Sequence, residues 1–197
     1  MPCGSNPNPN MPYYLFRHTA FVVGLMICSG CSTSPPREVK PAAHFDDVSY
    51  WDGDHLTGSP TVRISLSRQR AYLYKGDQLA GVSLISSGRE GLGTVTGQFR
   101  ILEKDAEHAS SLFGTYVDAQ GEVMQEDVDT RKHSKPLGAT YRGANMPNWM
   151  RIVGGTGMHA GFLPGYPASH GCIRMPAVMA EHFFHSVAEG TPVTIEP

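Results

Sequence analysis

The stretch of sequence that decides the fold is Ser169-His170-Gly171-Cys172-Ile173-Arg174-Met175, together with His159 upstream of it. Cys172 is the only cysteine after position 31, and it lies in a glycine-containing turn next to a histidine and close to an arginine. A cysteine attacks as its thiolate, and a neighbouring imidazole or cation favours that form. The pattern predicts one activated, nucleophilic thiol.

The residues around this thiol are candidates for the other catalytic tasks. His159 is the candidate general base, which would take the thiol proton and later return a proton to a leaving amine. His170 stands beside the thiol and is the alternative base. The amides of Gly171 and Cys172 are candidate oxyanion donors, because glycine lets the backbone turn tightly toward a developing charge. Arg174 could either anchor a substrate carboxylate or hold the turn from behind.

His159-Ala160-Gly161 followed by the Ser169–Met175 stretch resembles, in order and spacing, the L,D-transpeptidase catalytic-domain family (YkuD-like). These bacterial enzymes remodel the peptide stems of peptidoglycan. The resemblance implies a mainly β catalytic domain, a curved β-sandwich with one or two short helices. It is strongest from Met150 to Pro176.

The resemblance also implies roles for individual residues. Cys172 would be the nucleophile and His159 the base, with the backbone carbonyl of Ala160 orienting the imidazole ring. His170 would be a supporting residue that shapes the pocket. We expect substrate binding from three side chains: Met158, Ser169 and Arg174.

The implied reaction is attack by Cys172 on an L-centre carbonyl of a tetrapeptide stem, release of D-Ala, and transfer of the acyl group to an amine. With water as acceptor, the same site would be an L,D-carboxypeptidase or endopeptidase. A third alternative is a degenerate, non-catalytic lipoprotein that binds the cell wall. The expected partners are peptidoglycan stem peptides and carbapenem-type covalent inhibitors, and no metal or organic cofactor is implied.

Two other interpretations use the same side chains. A zinc site from His159, His170 and Cys172 has acceptable ligand types, but no fourth ligand lies at a recognisable spacing. A papain-like or NlpC/P60 hydrolase also uses cysteine and histidine, but there the cysteine comes first, whereas here the proposed base precedes it. Both patterns fit this chain less well than the transpeptidase motif.

The first 31 residues have the pattern of a secretory leader. An apolar run from Thr19 to Ile27 precedes Ser29-Gly30-Cys31, which resembles a bacterial lipobox, so we expect Cys31 to be lipid-modified. This places the protein at the periplasmic face of a membrane, the outer membrane in a Gram-negative organism because Ser32 follows the cysteine. A plain signal peptide with an incidental Cys31 is the alternative.

The length of 197 residues favours one domain, or one domain with an appendage. Residues 32–60, rich in Ser, Pro and Thr at their start, are expected to form a flexible tether, and residues 61–196 the catalytic domain. The formal net charge is −2, which provides no basic field, so nucleic acid is not an expected partner.

The chain pattern also predicts individual elements. Val62, Ile64 and Leu66 alternate with polar residues, which is typical of a strand. We expect a short helix from Pro176 to Ala188 and an edge strand over Thr191–Ile195. The Gly-rich loop 88–97 lacks the residues of a phosphate-binding loop. Residues 103–149 are interpreted as a loop insertion over the active-site groove.

Overall fold

The computed structural model describes residues 49–197; the leader 1–31 with Cys31 and residues 32–48 of the tether lie outside the described residues. Within this range there are thirteen strands and one helix. In chain order they are β1 (Tyr50–Trp51), β2 (Pro60–Ser65), β3 (Arg70–Lys75), β4 (Gln78–Leu84), β5 (Gly97–Arg100), β6 (Glu103–Asp105), β7 (Ala109–Val117), β8 (Val123–Asp129), β9 (Thr140–Asn145), β10 (Trp149–Val153), β11 (Thr156–Ala160), β12 (Ile173–Met175), α1 (Ala177–Ser186) and β13 (Pro192–Glu196).

The largest sheet has six strands in the order β1-β4-β3-β2-β13-β5. Its strands form where apolar and polar residues alternate: in β2, Val62 and Ile64 are buried while Arg63 between them is exposed. The prediction that the last strand, β13, lies at an edge of its sheet is wrong. β13 lies inside the sheet, parallel to β2 and antiparallel to β5, because buried Val193 and Ile195 need neighbours on both sides.

The second sheet has four strands in the order β12-β11-β10-β6. One hydrophobic core combines side chains of this sheet, the six-stranded sheet and α1, including Leu73, Ile152, Met158, Ile173 and Phe183. The fold is therefore mainly β, as predicted, and its two larger sheets share this core. Among residues 49–197, no helix is long and apolar enough to cross a membrane.

Helix α1 closes one side of this core. Pro176 precedes its first residue, and proline is tolerated there because the first backbone N–H groups of a helix have no intrahelical acceptor. Met179, Ala180 and Phe183 are its buried residues, and their i, i+1, i+4 spacing places them on one face of the helix. The predicted helix is confirmed, and it ends two residues earlier than expected.

Residues 103–149 are more ordered than the loop insertion we expected. β6 joins the four-stranded sheet, while β7, β8 and β9 form a separate three-stranded sheet in the order β8-β7-β9. This small sheet has its own buried cluster of Tyr116, Val128 and Ala139. The insertion is a sheet, because its residues pair with one another across its hairpins and bury apolar side chains.

The folded domain begins earlier than the expected residue 61. β1 pairs antiparallel with β4, and the Trp51 ring stacks on His182 at 4.6 Å. The ring also covers Gly81, where a Cβ atom would approach a Trp51 ring carbon to 2.6 Å. Residues 49–60 are thus part of the fold, and the tether prediction is wrong for them.

We expect Trp51→Ala to lower the free energy of unfolding by about 2 kcal/mol, because it removes a large, half-buried ring packed on the core. Denaturant unfolding of the domain measures this change. The matched control is Tyr50→Ala in the same strand, whose side chain is 46% exposed and whose loss should cost little. Equal, small effects of the two substitutions would show that β1 is not part of the cooperative unit.

Candidate active site

A tight turn presents Cys172 at the start of β12. Gly171 before it has φ 115°, a conformation that side-chain-bearing residues rarely adopt. The Ser169 hydroxyl donates to the Cys172 carbonyl at 2.5 Å and accepts the Gly171 N–H at 3.0 Å. These two bonds close the turn from inside.

This arrangement corrects two expectations. Ser169 is 1% exposed and its hydroxyl is engaged within the turn, so its role lies in holding the turn rather than in binding substrate. The Gly171 amide, expected as an oxyanion donor, already donates to Ser169. The roles of the Ser169 hydroxyl and the Gly171 amide were predicted from their positions in the motif. The hydrogen bonds that occupy both groups form only when the chain folds into this turn.

The Gly-rich loop 88–97 supports the same turn, which the sequence did not indicate. The Thr94 hydroxyl donates to the Gly171 carbonyl at 2.9 Å and accepts the Gly88 N–H at 2.9 Å. The backbone N–H of Arg89 donates to the Ser169 carbonyl at 3.0 Å. The sequence shows Thr94 as a hydroxyl-bearing residue in the Gly-rich loop. It does not show the hydrogen-bond partner, because the Gly171 carbonyl lies 77 residues away.

The Cys172 thiol borders the cleft, with Sγ 3.5 Å from the Gly155 carbonyl oxygen. Burial raises the pKa of the Cys172 thiol, because the interior disfavours the charged thiolate. The Gly157 backbone N–H and the Arg174 cation act in the opposite direction on this pKa. The raised pKa favours the protonated thiol over the thiolate in the resting site.

His159 lies on β11, which runs parallel to β12 with His159 opposite Arg174. Its Nδ1 is 2.8 Å from the Ala160 carbonyl oxygen. A carbonyl can only accept, so Nδ1 carries the hydrogen and Nε2 keeps its lone pair for a proton. The expected orienting role of the Ala160 carbonyl is confirmed by this contact.

The environment of His159 keeps its ring neutral. Burial lowers the pKa of His159 to about 4, and the nearby Arg174 and His108 add to the lowering, while the bond to Ala160 opposes it. A neutral imidazole with a free Nε2 is the form that a general base needs.

The side chain of Met158, expected to bind substrate, does not reach the cleft. It is 0% exposed and belongs to the hydrophobic core. Successive side chains of a strand point to opposite faces, so His159 on the cleft side requires Met158 on the core side. We correct this assignment: Met158 holds β11 on the core.

His170 is engaged elsewhere and is not available as the alternative base. Arg89 Nη2 lies 2.9 Å from His170 Nε2, and because a guanidinium can only donate, Nε2 accepts. The ring also stacks on Phe113 at 4.3 Å. Burial lowers the pKa of His170, with Arg89 and Arg174 adding to the effect. The lowered pKa favours the neutral ring, which lines the cleft.

Arg174 lies half-buried beside the thiol and borders the cleft. Its backbone pairs with Ser86, which anchors the strand. Within residues 49–197, no carboxylate forms an ion pair with its guanidinium, whereas Arg151 in the same cleft is paired with Glu103 at 2.7 Å. The backbone of Arg174 thus anchors the turn while its side chain offers a cation to the cleft.

The cleft has a volume of about 650 Å³ and is walled on one side by the three-stranded insertion. Trp149 packs 6.0 Å from the His159 ring, and His108 stacks on Trp149 at 4.7 Å. Phe113 forms part of the same wall. We missed these aromatic residues because they lie in the stretch whose strand pattern is weakest. In the described part of the chain, no three His, Cys, Asp or Glu side chains gather in the manner of metal ligands.

Comparisons with known proteins bear on the family and the fold of this chain. The model of the L,D-transpeptidase catalytic domain (YkuD) matches residues 59–195. The chain is similar to a solved L,D-transpeptidase from Stackebrandtia nassauensis, with 16% identity and a TM-score of 0.51 over 72% of this chain and 57% of that one. A Mycobacterium smegmatis L,D-transpeptidase gives 16% identity and a TM-score of 0.53 over 71% of this chain and 59% of that one.

An L,D-transpeptidase solved in complex with imipenem is also similar, with 16% identity and a TM-score of 0.52 over 70% of this chain and 58% of that one. The chain thus spans less than two thirds of the length of these structures, and at such identities the likeness concerns the fold. No curated protein matches the sequence. The match of the catalytic-domain model over most of the chain shows that this protein belongs to the L,D-transpeptidase (YkuD) family.

Proposed function

We propose that this protein is a cysteine-dependent L,D-transpeptidase that acts on peptidoglycan stem peptides. The observation that carries the proposal is a thiol and a neutral imidazole that border one cleft, with the imidazole's Nδ1 engaged by the Ala160 carbonyl. In this arrangement His159 accepts a proton and Cys172 becomes the nucleophile.

The reaction proceeds by two acyl transfers. His159 Nε2 takes the Cys172 proton as the sulfur attacks the L-centre carbonyl of a tetrapeptide stem. The bond to D-Ala breaks, and His159 returns the proton to the leaving amine, which leaves a thioester on Cys172. An acceptor amine then attacks the thioester and gives a proton to His159, and the thiol is restored when that proton returns.

The charge and hydrogen-bond groups of the cleft fit such a substrate. Arg174 offers a cation without a carboxylate partner among the described residues, which suits the terminal carboxylate of the stem. With the Gly171 amide engaged by Ser169, the Cys172 amide is the proposed oxyanion donor. A strained β-lactam carbonyl would be attacked in the same way, so carbapenems such as imipenem are the proposed covalent inhibitors.

We also propose that the protein is lipid-anchored at the periplasmic face of a membrane, the outer membrane in a Gram-negative host. The support is the sequence Ser29-Gly30-Cys31 after an apolar run. The 17 residues between Cys31 and residue 49 would serve as a tether that lets the cleft reach the peptidoglycan layer.

Cys172→Ala should abolish release of D-Ala from purified tetrapeptide muropeptides, and His159→Ala should slow it by about 10²- to 10⁴-fold, the usual contribution of a general base. Mass spectrometry of the products also identifies the acceptor, since water yields a tripeptide and an amine yields a crosslink or an exchanged residue. Imipenem should add its whole mass to the peptide that holds Cys172.

The matched control for these variants is His185→Ala, an exposed histidine on α1, which should retain activity. An active Cys172→Ala variant would overturn the nucleophile assignment. A folded wild-type domain with a reduced thiol and no imipenem adduct would favour a degenerate wall-binding protein.

The pH dependence of the reaction should be that of a neutral Cys172 thiol beside a neutral His159 imidazole. His159 remains unprotonated until the pH falls to about 4, so the acid limb of kcat/KM should lie well below the ordinary histidine range. Iodoacetamide alkylation of Cys172 should rise steadily with pH, because burial favours the thiol. A plateau of rapid alkylation below pH 6, seen for thiolate–imidazolium pairs, would contradict this assignment.

Mature protein isolated from membranes should carry an acyl modification on Cys31. Cys31→Ala should move the protein from the membrane fraction to the soluble fraction, because the cysteine is the attachment point for the lipid. Intact-mass analysis measures the modification. An unmodified Cys31, or cleavage at another residue, would refute the anchor.

A further inference from the structure

The insertion touches the catalytic turn through one aromatic contact. The Phe113 ring on β7 stacks on His170, two residues before Cys172, with centroids 4.3 Å apart and planes 23° apart. Both rings border the main cleft and a neighbouring cavity of about 490 Å³, so the stack forms a wall between the two. A residue of the insertion thus determines where the His170 ring lies.

A second contact fixes the same ring at its edge. Arg89 donates from Nη2 to His170 Nε2 at 2.9 Å, which assigns the remaining ring hydrogen to Nδ1. Arg89 comes from the Gly-rich loop and Phe113 from the insertion, on separate segments of the chain. One contact holds the plane of the His170 ring, and the other holds its rotation within that plane.

The position of Phe113 is itself supported by an ion pair. The Arg131 guanidinium lies 5.4 Å from the Phe113 ring centroid. Arg131 donates to both carboxylate oxygens of Asp129, at 2.9 and 2.8 Å, and Asp129 stands opposite Phe113 in the β7–β8 pairing. The hydrogen bonds from Arg131 hold the pKa of Asp129 far below its usual range, so the pair stays charged.

The charges that face His170 come from three elements. Arg89 and Arg174 disfavour a proton on the ring, whereas Asp127 and Asp129 of β8 favour one. Burial has the largest effect on the His170 pKa and lowers it, as the two arginines do. The Phe113 ring that covers His170 is part of this burial. Removing the Phe113 side chain would therefore expose the His170 ring to solvent. With less burial to lower the His170 pKa, the two aspartates would raise it.

We propose that Phe113 and Arg89 are positioning residues that hold the His170 ring and, through it, the turn that presents Cys172. The inference rests on the proposed function for its consequence in catalysis. Gly171 links His170 to Cys172, and both its N–H and its carbonyl are hydrogen-bonded, so a fixed His170 ring restricts where the thiol lies. The insertion is thereby a functional part of the site.

The test compares Phe113→Leu with the conservative Phe113→Tyr. Leucine removes the stacked ring, so acylation of Cys172 by imipenem should slow roughly fivefold, and the His170 pKa, followed by NMR titration, should rise toward its ordinary value. Tyrosine keeps the ring and should restore both. Arg89→Met removes the edge contact and should raise the His170 pKa in the same direction.

The matched control is Phe184→Leu on α1, where a phenylalanine also lies beside a histidine, His185, and under a cation, Lys104 at 4.3 Å. This variant should leave the acylation rate and the His170 titration unchanged. Equal slowing in Phe113→Leu and Phe184→Leu, or an unchanged His170 titration in both Phe113→Leu and Arg89→Met, would overturn the proposal.

Failure of the proposed function gives a different result. If wild-type protein forms no imipenem adduct, the transpeptidase proposal fails, and the His170 titrations and the rate of Cys172 alkylation by iodoacetamide still test the positioning. Slower alkylation in Phe113→Leu and recovery in Phe113→Tyr would then support it. Identical alkylation rates and titrations in wild type, Phe113→Leu and Arg89→Met would refute it.

Discussion

The parallel pairing of β11 with β12 is the constraint on which the site depends. It sets His159 opposite Arg174 and Met158 opposite Ile173, so the residue just before β12, Cys172, is brought to the cleft that the base also borders. Met158 and Ile173 are fully buried, and a shift of one residue would move them out of the core. The hydrophobic core therefore decides which side chains face the cleft.

The turn that carries the thiol is held by segments distant from it in sequence. Ser169 bonds the turn from inside, and Thr94 bonds it from the Gly-rich loop. Each such hydrogen bond contributes about 1 kcal/mol, but together they keep Gly171 in a conformation open to few other residues. If Cys172 is the nucleophile, as proposed, a thiol held in this way would lose little further freedom on binding a substrate.

Burial has opposite effects on the two reacting groups. It raises the pKa of the Cys172 thiol and lowers the pKa of His159, so both stay neutral in the resting protein. Arg174, near both groups, supplies positive charge that favours a thiolate once the proton has moved. The site combines two groups that burial keeps uncharged with a cation near both, which is the arrangement that the proposed reaction needs.

Local patterns in the sequence were enough to predict the early strands, helix α1 and four side chains that border the cleft, because alternation, helical spacing and a short motif depend on neighbouring residues. These four are His159, His170, Cys172 and Arg174. The central place of β13, the strand at Trp51 and the insertion sheet depend on pairing between distant segments. The same holds for the Ser169 hydroxyl, which the motif left open to substrate and the folded turn engages. The sequence by itself determined which chemical groups are present, whereas only the tertiary structure decided which of them are free to act, because a hydrogen bond or a buried contact needs a partner that folding brings into reach.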